Sequence, residues 1–77
     1  MAEILTVGWL NAPRDPALLD RLTGGMPEGA VTVDTSRPDR TLVIYTEVEG
    51  MSLDDVMTAF RLAYERETGA PIETEEE

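Results

Sequence analysis

Residues Gly50 to Gly69, GMSLDDVMTAFRLAYERETG, specify a single amphipathic helix. Ser52 is a strong N-cap, and Asp55 three residues on can return a hydrogen bond as in a capping box. Met51 and Val56 have the spacing of a hydrophobic staple. Asp54 and Asp55 place negative charge at the positive end of the helix dipole, and Arg66 places a cation in the last turn. Gly69 supplies a left-handed stop. Leu53, Val56, Met57, Phe60, Ala63 and Tyr64 recur at helical spacing, so one face is apolar and must cover something.

What it covers is read upstream. Residues 3–10, EILTVGWL, form a strand with Leu5, Val7 and Trp9 on one face and Ile4, Thr6 and Gly8 on the other. Asp15 followed by Pro16 is an N-cap with proline at the first helical position, so a short helix runs from Pro16 to Thr23 and stops at Gly24-Gly25. Residues 30–35 and 41–49 are β-branched runs joined by SRPDR, a hairpin connection. In the second run Leu42, Ile44, Thr46 and Val48 share a face. Val43, Tyr45 and Glu47 take the other, which reads as half solvated.

The order β-α-β-β-α predicts an α+β two-layer sandwich, with a three-stranded antiparallel sheet carrying two helices on one face. It is the ferredoxin-like order lacking its last strand. Residues 1–69 make the domain. Residues 70–77, APIETEEE, offer only Ile72 and Thr74 as strand formers before three glutamates, and read as a flexible acidic tail. Without a fourth strand, residues 3–10 would be a bare apolar edge, which natural proteins rarely leave unpaired.

Composition removes most chemistry. Seventy-seven residues bury only ~60–65% of their unfolded surface, so the core is small. The chain has no Cys, His or Lys, which excludes disulfides, thiolate nucleophiles, the usual neutral-pH base and Schiff-base catalysis. Six arginines face sixteen acids, for a net charge of −10. That balance argues against direct nucleic-acid binding and against anionic membranes, and favours a basic protein partner. The N-terminus lacks the basic and apolar regions of a signal peptide, and no stretch approaches ~20 apolar residues, so the expected location is the cytoplasm.

Ser52-Leu53-Asp54 resembles the Ser-Leu motif of acyl carrier proteins, in which the serine accepts phosphopantetheine. Met51 stands where that family has Asp, and the first half reads β-rich where a carrier is helical, so Ser52 is assigned to helix capping. The strand ending EVEG before a capped helix also resembles the strand-Gly-helix segment of HicB-type antitoxins, which would imply a toxin-binding role. Glu47, Glu49, Asp54 and Asp55 could hold a hard cation, but no EF-hand spacing is present and capping accounts for both aspartates. No cofactor, metal or catalytic residue is expected.

The functional expectation is a small acidic, non-enzymatic protein-interaction or regulatory module. It would be a homodimer or an adaptor for a larger basic protein. Its contact residues would be Ile4, Thr6 and Trp9 on the first strand, Arg37 and Arg40 on the hairpin tip, and Tyr45 beside Glu47. The alternatives are an antitoxin-like or nucleic-acid-mimicking inhibitor of a basic protein, and a small-molecule-binding subunit or small enzyme with a pocket at a dimer interface.

Overall fold

The computed structural model describes residues 2–76. Its elements are β1 (Ile4–Trp9), α1 (Pro16–Gly24), β2 (Val31–Asp34), β3 (Thr41–Thr46), α2 (Leu53–Thr68) and β4 (Thr74–Glu76). The fold is α+β, with two helices and a four-stranded antiparallel sheet in the order β2-β3-β1-β4. The expected three-stranded sheet is therefore corrected to four strands. Residues 74–76 of the acidic tail pair with β1 in the register Val7 to Glu76, Gly8 to Glu75 and Trp9 to Thr74. The tail expectation also included Glu77, which lies outside the described residues.

Both helices begin and end as their sequences require. Asp15 Oδ1 accepts from the Ala17 N–H at 3.0 Å, with Pro16 behind the cap. Ser52 Oγ accepts from the Asp55 N–H at 3.2 Å, and α2 ends at Gly69, whose φ of 74° is strained for a residue bearing a Cβ. Among the described residues the Asp55 carboxylate returns no bond, so half of the capping box forms. Between β3 and α2 the chain reverses through Glu49 and Gly50, with Val48 and Met51 bonded to each other at 3.1 and 3.3 Å.

The core lies between sheet and helices. Val7, Trp9, Val31, Val43 and Tyr45 from the strands meet Leu22 of α1 and Val56, Phe60 and Tyr64 of α2. Phe60 is its centre, with edge-on ring contacts to Trp9 at 5.5 Å and Tyr45 at 5.9 Å; Tyr64 adds a third contact to Trp9 at 5.3 Å. Such pairs contribute ~0.5–1.5 kcal/mol each beyond the area they bury. The expected assignment of faces on β3 is reversed by these contacts. Val43 and Tyr45 point into the core, at 0% and 2% exposure, while Leu42, Ile44 and Thr46 take the opposite side of the sheet.

One residue explains why the tail is a strand. Asn11, just past β1, accepts at Oδ1 from the Trp9 indole N–H (3.1 Å) and from the Glu73 N–H (2.8 Å). Its Nδ2 donates to the Pro71 carbonyl at 3.0 Å, and its own carbonyl accepts from the Tyr64 hydroxyl at 3.1 Å. The reversed amide would set an NH2 against two N–H donors, so the orientation follows from the partners. With the Leu10 N–H donating to the Glu73 carbonyl at 2.8 Å and Ile72 packed on the core, residues 71–73 are delivered to β1 ready to pair.

Candidate functional site

β4 changes what β1 can do. Val7, Gly8 and Trp9 are paired on both sides, to β3 and to β4, so the expected bare edge over residues 3–10 is corrected. Among the described residues only Ile4 to Thr6 have no strand on the β4 side. Two other features of the surface could engage a partner or ligand.

The first is the sheet face turned away from the helices. Ile4, Thr6, Gly8, Leu42, Ile44, Thr46, Thr32, Asp34 and Glu75 alternate onto it, with the register Ile4 to Thr46, Thr6 to Ile44, Thr32 to Ile44, Asp34 to Leu42 and Glu75 to Gly8. Ile4 is 63% exposed and Leu42 only 7%, because Gly8 beside it leaves room for the leucine to lie against the strands. None of Ile4, Leu42 and Ile44 belongs to the core between sheet and helices. No element covers this face among the described residues.

The second is a cleft at the end of the sheet where β1 leaves for α1 and the β2–β3 hairpin closes. Its volume is about 530 Å³, within the ~300–1,000 Å³ usual for small-molecule sites. Trp9, Ala12, Pro13, Pro16, Leu19 and Pro38 form its apolar walls, and Arg14, Arg37 and Arg40 its basic rim. Asp39 and Glu75 are its acids, and Arg40 Nε lies 3.9 Å from Asp39 Oδ2. On the hairpin, Asp34 Oδ1 accepts from the Ser36 hydroxyl (2.6 Å) and the Ser36 N–H (2.9 Å). These bonds, helped by the charge of Arg37, hold the Asp34 carboxyl below its usual pKa, so it stays ionised and pins the loop.

The six expected contact residues are thus dispersed. Trp9, Arg37 and Arg40 come together at the cleft, Ile4 and Thr6 lie on the open face, and Tyr45 is in the core. The expected exposure of Tyr45 is corrected, and burial pushes its hydroxyl up to about 12. Trp9, at 3% exposure, presents only an edge to the cleft. Sequence reasoning missed Asn11 and Arg14. No spacing rule connects Arg14 to the hairpin, and a lone Asn after a strand reads as a turn residue.

No protein-family model, curated protein or solved structure matches this chain. Among the described residues no helix is long and apolar enough to cross a membrane.

Proposed function

We propose that the protein is a small non-enzymatic interaction module with the ferredoxin-like βαββαβ arrangement, self-associating through the open face of its sheet. The arrangement is supported by the strand order, with β1 and β3 central and every neighbour antiparallel. The observation that carries the functional reading is the exposed Ile4 and half-buried Ile44 among Thr6, Thr32 and Thr46 on the open face.

A second copy is the occupant that the charge pattern favours. The part of the open face around Ile4, Thr6, Thr32, Ile44 and Thr46 holds no charge, and its acids, Asp34 and Glu75, lie in the row of Leu42 and Gly8. A basic partner would be drawn instead to the carboxylates of α2 and the tail. Two copies related by a two-fold axis would bring Ile4 of one copy against Ile44 of the other, and the reverse, with Asp34 and Glu75 kept away from the axis. Strands of six, four, six and three residues, rising ~3.3 Å per residue and lying ~4.8 Å apart, give a footprint of roughly 300 Å² per copy. That is below the ~800 Å² per partner of stable interfaces, so the association is reversible, with Kd in the micromolar range or weaker.

Sedimentation velocity across a concentration series tests this reading. Wild type should shift from monomer toward dimer, and Thr6→Lys and Ile44→Lys, each placing a charge on the open face, should remain monomeric with folded circular dichroism. A wild type that stays monomeric at millimolar concentration would remove the reading.

A further inference from the structure

We infer that the cleft at the end of the sheet binds a small organic carboxylate, with Arg14 and Arg37 clasping the anion and the proline-rich walls holding its apolar body. The inference is independent of self-association, because Arg14 and Arg37 lie in loops at the end of the sheet and not on its strands.

Three of the six arginines converge on this one cleft in a chain of net charge −10. They come from separate segments, Arg14 from the β1–α1 connection and Arg37 and Arg40 from the hairpin, so the fold and not a basic run of sequence assembles them. Of the six arginines, Arg21 reaches Glu67 at 3.6 Å and Arg40 reaches Asp39 at 3.9 Å. Arg14 and Arg37, like Arg61 and Arg66, make no salt bridge among the described residues, although the charge of Arg37 acts on Asp34. Their forked donors match the two oxygens of a carboxylate.

The rest of the cleft selects the body of the ligand. Three of the five prolines, Pro13, Pro16 and Pro38, line it, and with Ala12 and Leu19 they make a wall that is apolar and stiff. A rim fixed in advance lowers the ordering cost of binding. Asp39 and Glu75 on the same rim disfavour a dense polyanion, which would meet two like charges where a monoanion need meet none. The chemistry that fits is one carboxylate on a compact hydrocarbon or aromatic frame.

The test uses 3-phenylpropionate, with 3-phenylpropanol and inorganic phosphate as controls, followed by amide chemical shifts. A fragment of this size binds with a Kd on the order of 1 mM. Saturable shifts are expected at Leu10, Ala12, Arg37, Asp39 and Thr41, with at least ~10-fold weaker binding of the alcohol and of phosphate. Arg14→Met and Arg37→Met should each weaken the carboxylate by ~10-fold or more at unchanged melting temperature, while Arg66→Met on α2 leaves it unaltered. The inference is overturned by no saturable shift at 20 mM probe, by phosphate or the alcohol binding as well as the acid, or by shifts that map elsewhere. Full affinity in both cleft variants would overturn it equally.

Discussion

Replacing Asn11 by alanine should be unusually damaging for a partly exposed polar position. It removes three side-chain hydrogen bonds, to the Trp9 indole, the Glu73 N–H and the Pro71 carbonyl. Each contributes a net ~0.5–1.5 kcal/mol, and leaving the indole N–H of the buried Trp9 without an acceptor costs ~1–3 kcal/mol. The bonds share one side chain and do not add fully, so the expected loss is about 2–4 kcal/mol. A chain of this length has roughly 4–12 kcal/mol in total, so the change is a large fraction of it. Each kcal/mol lowers the melting temperature of so small a domain by ~4–8 °C. Urea unfolding followed by the fluorescence of Trp9, the sole tryptophan, should show a lower midpoint in Asn11→Ala. Hydrogen exchange at the Glu73 amide should accelerate with it, because that N–H loses its acceptor. A midpoint shift worth less than ~0.5 kcal/mol, with the Glu73 amide still protected, would refute the view that Asn11 fastens β4 to the sheet.

Truncation after Gly69 removes β4, Ile72 and every tail partner of Asn11, and should lower the urea midpoint at least as far as Asn11→Ala does; an unchanged midpoint would mean the tail contributes nothing. Ser52→Ala should cost about 0.5–2 kcal/mol through the lost cap at the Asp55 N–H, measured by the same denaturation; an intact mass that shows phosphopantetheine on Ser52 would instead make it a carrier serine. Tyr45 titrates at about 12 in the folded protein against 10.0 for the free side chain. The folded state therefore holds its proton longer than the unfolded state. This contribution is complete below pH 10 and is lost as pH rises from 10 to 12, by at most ~2–3 kcal/mol. Tyr45→Phe should flatten that decline in a pH series of denaturation curves.

The parts of the fold that were legible in the sequence are those governed by neighbours along the chain. α2 is bounded by Ser52 and Gly69 as its caps require, and α1 starts at Asp15-Pro16. The two helices, β1 and the β2–β3 hairpin follow from cap chemistry, period and turn residues acting over a few positions. β4 did not follow, because Thr-Glu-Glu carries little strand preference. Its pairing is set by Asn11, which bonds to Glu73 from 62 residues away.

The two faces of β3 show the same division. Leu42 with Ile44, and Val43 with Tyr45, are equally apolar alternating sets, and a period of two cannot choose between them. Phe60, held at its place on α2, makes the choice by meeting Tyr45 at 5.9 Å. That single choice buries Tyr45 and leaves Ile44 for the open face. The cleft likewise depends on Arg14 being carried to the hairpin by the corner after β1. Caps and periodicity act within a few residues, so the helices, β1 and the hairpin can be read along the chain, as can the lack of His, Lys and Cys. The fourth strand, the buried face of the sheet and the meeting of the arginines emerge only on folding, because each rests on contacts between residues far apart in the chain.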